Sequence, residues 1–406
     1  MRVLLLNQTF YPDTVATAQY LTDAAEALYA EGHQVTVLTS ARAYDDPERI
    51  FPSRETWRGI EIVRITPLAF GKTSRWRRAV DFGSYIVRCA AELALLGRYD
   101  VVVALTSPPL ISVLGAIFAA ARNARFVFWV MDLNPDEAIA AGWLKPHSMV
   151  ARALERLLRF SLAKADVVVA LDRFMADILV SKGISSDRIA VVPPWSHASV
   201  RFDAPGRDAF RRDHGWTDRF VVMYAGNHSP CNPLHTVVEA AERLRADPSV
   251  VFCFLGGGSA FRELQNEVRL PNVACLPYVT REELGAALSA ADLHVVTLGD
   301  PFRGLIHPCK VYNVLKVGAP VLYVGPEPSH VTDIASATGM TTWRVAHGDI
   351  AATVAAIEAA KSRNPEQRAA NEPIACEAFG ADRLVPAFVD LVIGHTVAAI
   401  PTLEQA

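Results

Sequence analysis

The segment GDPFRGLIHPCKVYNVLKVGAPVLYVG, residues 299–325, shows three structural patterns in succession. It predicts a loop rich in glycine and proline, a short helix that begins near Pro308, and a buried strand over 321–324. Lys310 is expected in the first turn of this helix, where free backbone N–H groups and the helix dipole favour an anion. A cation is unfavourable there unless a strong negative charge, such as a diphosphate, lies nearby. The alternative is a solvated lysine at a helix start.

Size and composition predict a globular protein of two domains. At 406 residues the chain is too long for a single hydrophobic core. A net charge of −3 lacks the basic footprint of nucleic-acid binding, so no nucleic acid is expected as a partner. The six cysteines are scattered, without CxxC pairs or histidines at metal-ligand spacing. They are expected to be reduced thiols of a cytosolic protein, and no metal site is predicted.

Two apolar stretches could be targeting or membrane segments. The N-terminal run MRVLLL is too short for a signal peptide and fits a first buried strand. Residues 101–121 contain a Ser-Pro-Pro turn in their middle, which indicates a strand followed by a helix rather than a membrane span. We therefore expect a cytoplasmic protein, with peripheral association at the cytoplasmic face of the inner membrane as the alternative.

Apolar β-branched runs alternate with helical patterns along most of the chain, which predicts parallel sheets covered on both faces. In the first half, strands are predicted over 2–6, 34–38, 60–65, 101–105, 125–130, 167–171 and 189–192, and helices over 16–31, 79–96, 111–122 and 148–164. In the second half, strands are predicted over 220–224, 250–255, 273–276, 293–297, 321–324 and 341–345, and helices over 234–246, 261–268, 281–290 and 311–317. Pro193-Pro194-Trp195 interrupts the pattern, and a polar stretch follows to about residue 218.

The predicted fold class is therefore α/β, with two doubly wound Rossmann-like domains that face each other across a cleft. They are expected to cover 1–196 and 197–376, and a C-terminal segment, 377–398, is expected to pack its helix back on the first domain. Ligands of such sheets bind at the carboxyl ends of the parallel strands. Residues that follow the predicted strands are therefore the candidates for a functional site.

In the first half, two strand ends carry polar residues. The first strand runs into a polar turn that opens a helix near Thr14, and Thr14 and Thr17 could form a shelf for phosphate or sugar. A plain helix cap is the alternative. The strand over 125–130 runs into Met-Asp-Leu-Asn-Pro-Asp-Glu, where Asp132 comes first and is a candidate for binding sugar hydroxyls or taking a proton. Helix-capping acids in a turn are the alternative, and they explain Asp136 and Glu137 better than Asp132.

In the second half, three strand ends carry glycine or other residues that suit phosphate binding. Gly226 and Asn227 follow one strand, Gly257 lies in the triple glycine after the next, and the loop over 299–310 follows a third. A single glycine loop is weak support, but the fold places these three ends side by side. A basic segment, Arg-Trp-Arg-Arg over 75–78, precedes an amphipathic helix and suits either an anionic membrane surface or a solvated loop.

The motifs together resemble the family 4 glycosyltransferases of the GT-B fold, and within them the bacterial branch of exopolysaccharide, O-antigen and colanic-acid transferases. The similarity is carried in order by the N-terminal MRVLLLNQTFYPDTVATAQYLTDAAEALYAEGHQVTVLT and by MDLNPDEAIAAGWL, VVPPWSHASV, MYAGNHSP, FLGGG, AADLHVV and PCKVYNVLKVGAPVLY. The resemblance covers nearly the whole chain. It implies a retaining transferase of the hexosyltransferase type that uses a nucleotide-sugar donor.

The resemblance also implies roles for individual residues. The second domain would bind the donor, with Gly226, Asn227 and Gly257 near the diphosphate and Tyr278 beside the base. The loop from Gly304 to Lys310, which holds His307, would contact the sugar and phosphates. In the first domain, which would bind the acceptor, the turn with Thr14 and Thr17 would close on the donor, and Asp132 would lie near the reacting centre. On this basis Asp132, Lys310 and His307 are the predicted catalytic residues.

The sequence departs from the family pattern in the donor-binding half. The family carries a pair of glutamates around the 299–325 segment, and here the second falls at Asn313 and the first near Asp300 or Arg303. The basic residues that usually follow the first phosphate-loop glycine are replaced by His228-Ser-Pro-Cys-Asn. Asn313 is therefore expected to hydrogen-bond ribose, and Lys310, helped by His307 or Arg303, to neutralise the leaving diphosphate.

The expected function is transfer of a sugar from a nucleotide donor to a lipid-linked or glycan acceptor in bacterial polysaccharide synthesis, without a cofactor or metal. A sugar-nucleotide 2-epimerase of the same architecture is one alternative, and the order of the motifs argues against it. A catalytically silent subunit that binds nucleotide sugars is another, and the missing acid at Asn313 favours it.

Overall fold

The computed structural model describes residues 1–44, 46, 48–67, 75–197, 200–363 and 379–395, without the side chains of 75–79 and 81. The chain divides into two compact units. The first contains Met1–Pro193 together with the C-terminal segment that starts at Asp382, and the second contains Pro194–Ala381. Each unit is an α/β structure with one central sheet.

The sheet of the first unit has eight strands in the order β3-β4-β2-β1-β5-β6-β7-β8. All neighbouring strands pair in parallel except β3 and β4, which are antiparallel. Residues 3–6 of the first strand are completely buried because the sheet is covered on both faces. The strands are β1 (Arg2–Leu6), β2 (Gln34–Ser40), β3 (Arg54–Trp57), β4 (Ile60–Ile65), β5 (Val101–Ala104), β6 (Arg125–Trp129), β7 (Val167–Ala170) and β8 (Ile189–Val191).

The helices of the first unit connect these strands. They are α1 (Ala16–Ala30), α2 (Arg75–Leu95), α3 (Ile111–Arg122), α4 (Asp136–Ala140), α5 (Met149–Lys164) and α6 (Arg173–Ser181). Side chains cap two of them: Ser148 Oγ accepts from Ala151 N at the start of α5, and Asp172 accepts from Met175 N at the start of α6.

The sheet of the second unit has six parallel strands in the order β11-β10-β9-β12-β13-β14. Its strands are β9 (Phe220–Asn227), β10 (Val250–Gly257), β11 (Val273–Leu276), β12 (Leu293–Thr297), β13 (Val321–Val324) and β14 (Thr342–Val345). Its helices are α7 (Ala204–Asp213), α8 (His235–Arg243), α9 (Ser259–Glu267), α10 (Leu284–Ser289), α11 (Lys310–Lys316), α12 (His330–Thr338) and α13 (Ile350–Lys361).

The last helix of the described chain is α14 (Ala381–Ile393), which belongs to the first unit from Asp382 onward. The ring of Phe388 packs on Trp129 at the end of β6, with ring centroids 4.1 Å apart. Arg125 Nη2 donates to Leu391 O at 3.3 Å. This helix therefore covers part of the first sheet although it follows the second unit in sequence.

Several sequence expectations differ from the structure. The polar stretch expected after Trp195 contains helix α7, whose buried Arg211 donates to both carboxylate oxygens of Asp292 at 3.1 Å. Asp292 also accepts from Val221 N at 2.8 Å, so one buried pair ties this helix to the sheet. Strand β3 and helices α6, α12 and α13 were not predicted. The helix expected near Pro308 begins at Lys310, after Cys309 as its N-cap.

The cysteines in the described part of the chain are all free thiols, as the scattered spacing predicted. Among the described residues, every helix is either too short or too polar to span a bilayer.

Candidate active site

The carboxyl edge of the second sheet is formed by two backbone turns that touch. Gly256 and Gly258 both have positive φ angles, at 140° and 118°. A Cβ on Gly256 would lie 2.1 Å from the carbonyl oxygen of Gly226, and a Cβ on Gly258 would lie 2.4 Å from Asn227 Oδ1. Only glycine fits at these two positions, because any side chain would push apart the carboxyl ends of β9 and β10.

Lys310 places an unpaired cation against this edge. Its Nζ lies 3.4 Å from the centre of the Tyr224 ring. The same atom is 3.7 Å from the position that a Cβ on Gly226 would occupy. Nζ is buried and has no hydrogen-bond partner among the described residues. Burial lowers the pKa of Lys310 well below its ordinary value, because the charged form loses solvation. A bound anion nearby would favour the charged form of Lys310 and oppose this shift.

His228 joins the two turns. Its backbone N donates to Gly257 O at 2.8 Å, and its Nδ1 lies 2.9 Å from Gly226 O, so Nδ1 must carry the hydrogen. Burial, with the nearby charge of Lys310, lowers the pKa of His228 to about 4, and the ring is therefore neutral near pH 7. Its Nε2 is consequently an acceptor, and it has no partner in the part of the chain that the structure describes.

Two tyrosines flank these turns. The hydroxyl of Tyr224 donates to Asn227 O at 2.9 Å, which fixes the end of β9. Burial raises the Tyr224 pKa, so this hydroxyl stays a donor. The ring of Tyr278 lies against Gly257, where an added Cβ would be 2.8 Å from it, and nearly half of Tyr278 is exposed. An exposed aromatic face beside a glycine turn can stack on a planar ring.

The loop before α11 positions the remaining predicted donor residues. A 3-10 turn over Asp300–Phe302 precedes Arg303 and Gly304, and Gly304 has a φ of 73°. Arg303 is exposed, and its Nη1 is 3.4 Å from Pro328 O. His307 is buried, with its Nε2 2.8 Å from the Tyr312 hydroxyl. The His307 ring also packs on His330, with centroids 3.9 Å apart, so its contacts are those of a packed cluster.

Asn313 is bound to the polypeptide itself. Its Oδ1 accepts from the backbone N of His197 at 3.3 Å. Asn313 was expected to hydrogen-bond ribose. Its side-chain oxygen instead binds the backbone near the start of the second unit. Neither local spacing nor composition indicates this contact, because the two residues are far apart in sequence.

Asp132 lies at the carboxyl edge of the first sheet, just after β6. Its backbone N donates to Thr106 Oγ1 at 3.3 Å, which ties it to the end of the neighbouring strand β5. Surrounding protein desolvates the carboxyl and raises the pKa of Asp132 to about 7, and the charge of Glu137 adds to this increase. Glu137 is held in place by Asn134, whose Nδ2 donates to it at 2.8 Å. A carboxyl with this pKa can exchange a proton near neutral pH.

The threonines of the first turn have different surroundings. Thr17 Oγ1 is 3.0 Å from Thr9 Oγ1, which is bound in turn to Asn7 at the end of β1. Thr14 is exposed, and its carbonyl accepts from Gln19. The alternative of a plain threonine cap is wrong, because α1 begins at Ala16 and its N-cap is Val15, which has no side-chain cap bond. The shelf for phosphate or sugar stays a prediction.

The structure thus gathers Gly226, Asn227, Gly257, Tyr278 and Lys310 at one sheet edge. Arg303, Gly304 and His307 lie in the adjoining loop, while Asp132, Thr14 and Thr17 belong to the first unit. Tyr224 and His228 were missed by sequence reasoning. Alternation along β9 places Tyr224 on the same side as Gly226, which was an available signal for the tyrosine.

Comparison with known proteins relates this chain to glycosyltransferases. Residues 16–195 match the model of the glycosyl transferase 4-like domain. The chain is 27% identical over 336 residues to the putative colanic acid biosynthesis glycosyl transferase WcaI of Escherichia coli K12, covering 78% of this chain and 82% of that protein. These matches support a family 4 glycosyltransferase.

Solved structures agree on the fold of this glycosyltransferase. Sucrose-phosphate synthase from Thermosynechococcus elongatus superposes with a TM-score of 0.71 at 15% identity, over 96% of this chain and 98% of that one. HepE of Anabaena, solved in complex with UDP-glucose, has a TM-score of 0.68 at 16% identity, over 97% of this chain and 100% of that one. The fold is GT-B, as the sequence resemblance implied.

Proposed function

We propose that this glycosyltransferase moves a sugar, with retention of anomeric configuration, from a nucleoside-diphosphate sugar to a lipid-linked or glycan acceptor in bacterial polysaccharide synthesis. The observation that carries the proposal is the buried, unpaired ammonium of Lys310 beside the glycine turns of the second unit. A buried charge without a partner destabilises the folded protein. Such a charge is typical of a binding site, where a ligand of opposite charge pairs with it. The colanic acid assignment of the Escherichia coli relative supports the acceptor class.

In this proposal the second unit holds the donor. The diphosphate lies along the glycine turns after β9 and β10, and Tyr278 stacks on the base. As the bond between the anomeric carbon and the diphosphate breaks, negative charge grows on the leaving oxygen. Lys310 neutralises that charge in a site that excludes water, so its contribution exceeds that of a solvated lysine. No metal is needed for this role.

The acceptor hydroxyl attacks the anomeric carbon on the face that the diphosphate leaves. Its oxygen forms the new glycosidic bond, and its proton passes to an oxygen of the departing phosphate. Asp132 of the first unit binds a sugar hydroxyl, and its pKa of about 7 makes that hydrogen bond sensitive to pH. His307 supports the loop that contacts the sugar through its bond to Tyr312.

The first experiment is a thermal-shift panel of UDP, GDP, ADP and TDP, with EDTA and with magnesium. A ligand that binds only the folded state raises the unfolding midpoint by mass action. We expect one nucleotide to raise the midpoint with EDTA present. Lys310→Met should abolish this shift, and Lys316→Met, which removes a charge from the same helix, should retain it. An unchanged shift in Lys310→Met would overturn the role of this residue.

Turnover separates a transferase from a subunit that only binds. Slow release of sugar from the matching nucleotide sugar, followed without an acceptor, reports on the reacting centre. We expect wild type to release sugar and Lys310→Met to be at least about 100-fold slower, the typical cost of losing one group that stabilises transition-state charge. Nucleotide binding without any turnover, across glycan and lipid-linked acceptors, would contradict the proposed activity.

A further inference from the structure

The turn after α4 and the first residues of α5 expose three large apolar side chains. Trp143 is 58% exposed, Met149 is 80% exposed and Val150 is 59% exposed. Isolated exposed apolar residues are ordinary on protein surfaces, whereas here three fall within eight positions of the sequence. We call Trp143, Met149 and Val150, with the basic residues Lys145 and Arg152, the 143–152 surface.

The backbone of this segment is held in place. Trp143 N and Leu144 N both donate to Ala138 O, at 2.9 and 3.0 Å. Ser148 caps α5, and His147 before it takes a left-handed conformation with φ of 58°. The apolar side chains are therefore presented by a defined turn and the first residues of a helix.

The charge of the segment has one sign. Between Glu137 and Glu155 the sequence contains Lys145, His147 and Arg152 and no acidic residue. Arg152, and Arg156 one turn later, form no ion pair with another described residue. The nearest acid in sequence, Glu155, accepts from Arg159 at 2.7 Å and from Lys182 at 3.0 Å. Hydrogen bonds from these two cations lower the pKa of Glu155 although burial opposes the shift, so its charge is already balanced.

We propose that the 143–152 surface docks the protein on an anionic lipid membrane. Tryptophan favours the level of the lipid headgroups, where its ring is apolar and its N–H remains hydrated. Met149 and Val150 enter the acyl boundary, while Lys145 and Arg152 meet anionic headgroups. The combination of exposed apolar and basic groups fits a lipid surface better than the mixed charges of a typical protein partner.

The position in the fold connects this surface to the chemistry. Strand β6 ends at Trp129, Asp132 follows it, and the 143–152 surface spans the end of the same connection and the start of α5. The connection therefore runs at the carboxyl edge of the first sheet. This inference rests on the proposed function in one respect, because a lipid-linked acceptor gives the enzyme a reason to meet the membrane on the edge that carries Asp132.

A second basic segment of the sequence offers a comparison. Arg75, Arg77 and Arg78 begin α2, and their side chains lie outside the described residues. Farther along this helix, Val87 is 68% exposed and Leu95 is 81% exposed. Val87→Ser with Leu95→Ser therefore removes two exposed apolar side chains from a different helix of the same unit.

The test is flotation of the full chain with phosphatidylcholine vesicles, with and without about one third phosphatidylglycerol, since anionic lipid attracts basic residues. We expect binding only to the anionic vesicles. Combined Trp143→Ser, Met149→Ser and Val150→Ser should weaken it at least about tenfold, because apolar burial and charge act together. Lys145→Gln with Arg152→Gln should weaken it and flatten its dependence on salt, and Val87→Ser with Leu95→Ser should bind like wild type.

Three results would overturn the assignment. They are wild type that ignores anionic vesicles, a 143–152 triple variant that binds like wild type, and loss of binding only on replacing Arg75, Arg77 and Arg78. Self-association that depends on Trp143, without vesicle binding, would assign the surface to a second copy of the chain instead. Unchanged thermal midpoints and nucleotide shifts establish that each variant is folded. The vesicle result stands independently of the nucleotide result, so failure of one proposal is distinguishable from failure of the other.

Discussion

The two units share a parallel α/β architecture, and the carboxyl edges of their sheets carry opposite kinds of perturbed charge. In the first unit, desolvation and Glu137 raise the pKa of Asp132 to about 7, so that it holds its proton more strongly. In the second, burial lowers the pKa of Lys310, so that it holds its proton less strongly. Each edge therefore has a charged form that is unstable on its own. The two edges are therefore suited to different kinds of chemical group.

The two units also differ in how many large hydrophobic side chains they expose. All the large hydrophobic side chains that are exposed in the described chain belong to the first unit, with the single exception of Tyr278. The first unit thus offers apolar area to a partner, and the second offers glycine backbone, a buried cation and one aromatic face. A lipid-linked acceptor suits the first set of features, and a nucleotide suits the second.

The largest effect is expected at the acidic edge. Asp132→Asn should lower turnover up to about 100-fold near pH 8, because the sugar hydroxyl loses a charged acceptor and such hydrogen bonds contribute roughly 1.5–3 kcal/mol. Because the wild-type carboxyl ionises near pH 7, its kcat/KM should fall as the pH drops below about 7. Glu137→Gln is the matched control, since its oxygen can still accept from Asn134 while its charge is gone. Because Glu137 raises the Asp132 pKa, this variant should shift the fall of kcat/KM to lower pH. An unchanged pH profile would mean that another group titrates.

The linked stability of Asp132 has a definite sign. Between about 3.9, the usual aspartate pKa, and its folded value, the native state keeps a proton that the unfolded state has lost. The free energy of unfolding contributed by this group therefore decreases as pH rises through that window. Asp132→Asn should remove this decrease, which urea unfolding at pH 5 and pH 8 would measure.

The contact between the glycine turns is the next test. Gly258→Ala places a Cβ 2.4 Å from Asn227 Oδ1 and 2.5 Å from His228 O, so both turns must move. We expect nucleotide affinity to fall at least about tenfold, since backbone amides bind phosphate only in a fixed arrangement. Gly348→Ala is the control, because Gly348 also has a positive φ, of 82°, and an added Cβ there meets nothing within 4 Å. Equal losses of affinity in titration calorimetry would attribute the effect to backbone strain alone.

Lys310→Met should stabilise the unliganded protein while it removes nucleotide binding. Replacing a buried, unpaired charge by an apolar side chain of similar length should raise the free energy of unfolding by about 1–3 kcal/mol. In wild type, the unfolded state binds a proton between the lowered pKa and the usual value of about 10.4, so stability rises with pH through that window. The variant should lose this rise. A less stable Lys310→Met protein would mean that the ammonium already has a partner in the free enzyme.

The sequence predicted the sheets well because their central strands are continuous apolar runs. Strand β3 has the sequence RETW and alternates between exposed and half-buried residues at an antiparallel edge, so it carries no apolar run to detect. Helix α7 was missed because its sequence is polar, and its anchor is a buried ion pair with a residue far along the chain. The pairing of β3 is a local hairpin with β4, whereas the anchor of α7 is distant in sequence.

The candidate site divides in the same way. Lys310 and Gly226 could be placed together from the order of strand ends, since the sheet topology brings those ends side by side. The environment of Lys310 could not be predicted from the sequence. The positions of the Tyr224 ring and of the neutral His228 imidazole depend on how side chains pack near β9 and β10. Asn313 was expected to hydrogen-bond ribose because of its position in a family motif. Only the structure reveals that it binds the backbone N of His197.

Asn313 offers the smallest and most diagnostic change. Asn313→Ala removes the acceptor for His197 N, a contact that should cost about 1 kcal/mol of unfolding free energy, as a typical hydrogen bond does. If the residue serves mainly to hold this segment, the unfolding midpoint falls while nucleotide affinity stays unchanged. Asn313→Asp keeps an acceptor for the same N–H and should restore the midpoint. A loss of nucleotide affinity in Asn313→Ala with an unchanged midpoint would instead return Asn313 to the ribose, and would make this position part of the donor site despite its backbone contact.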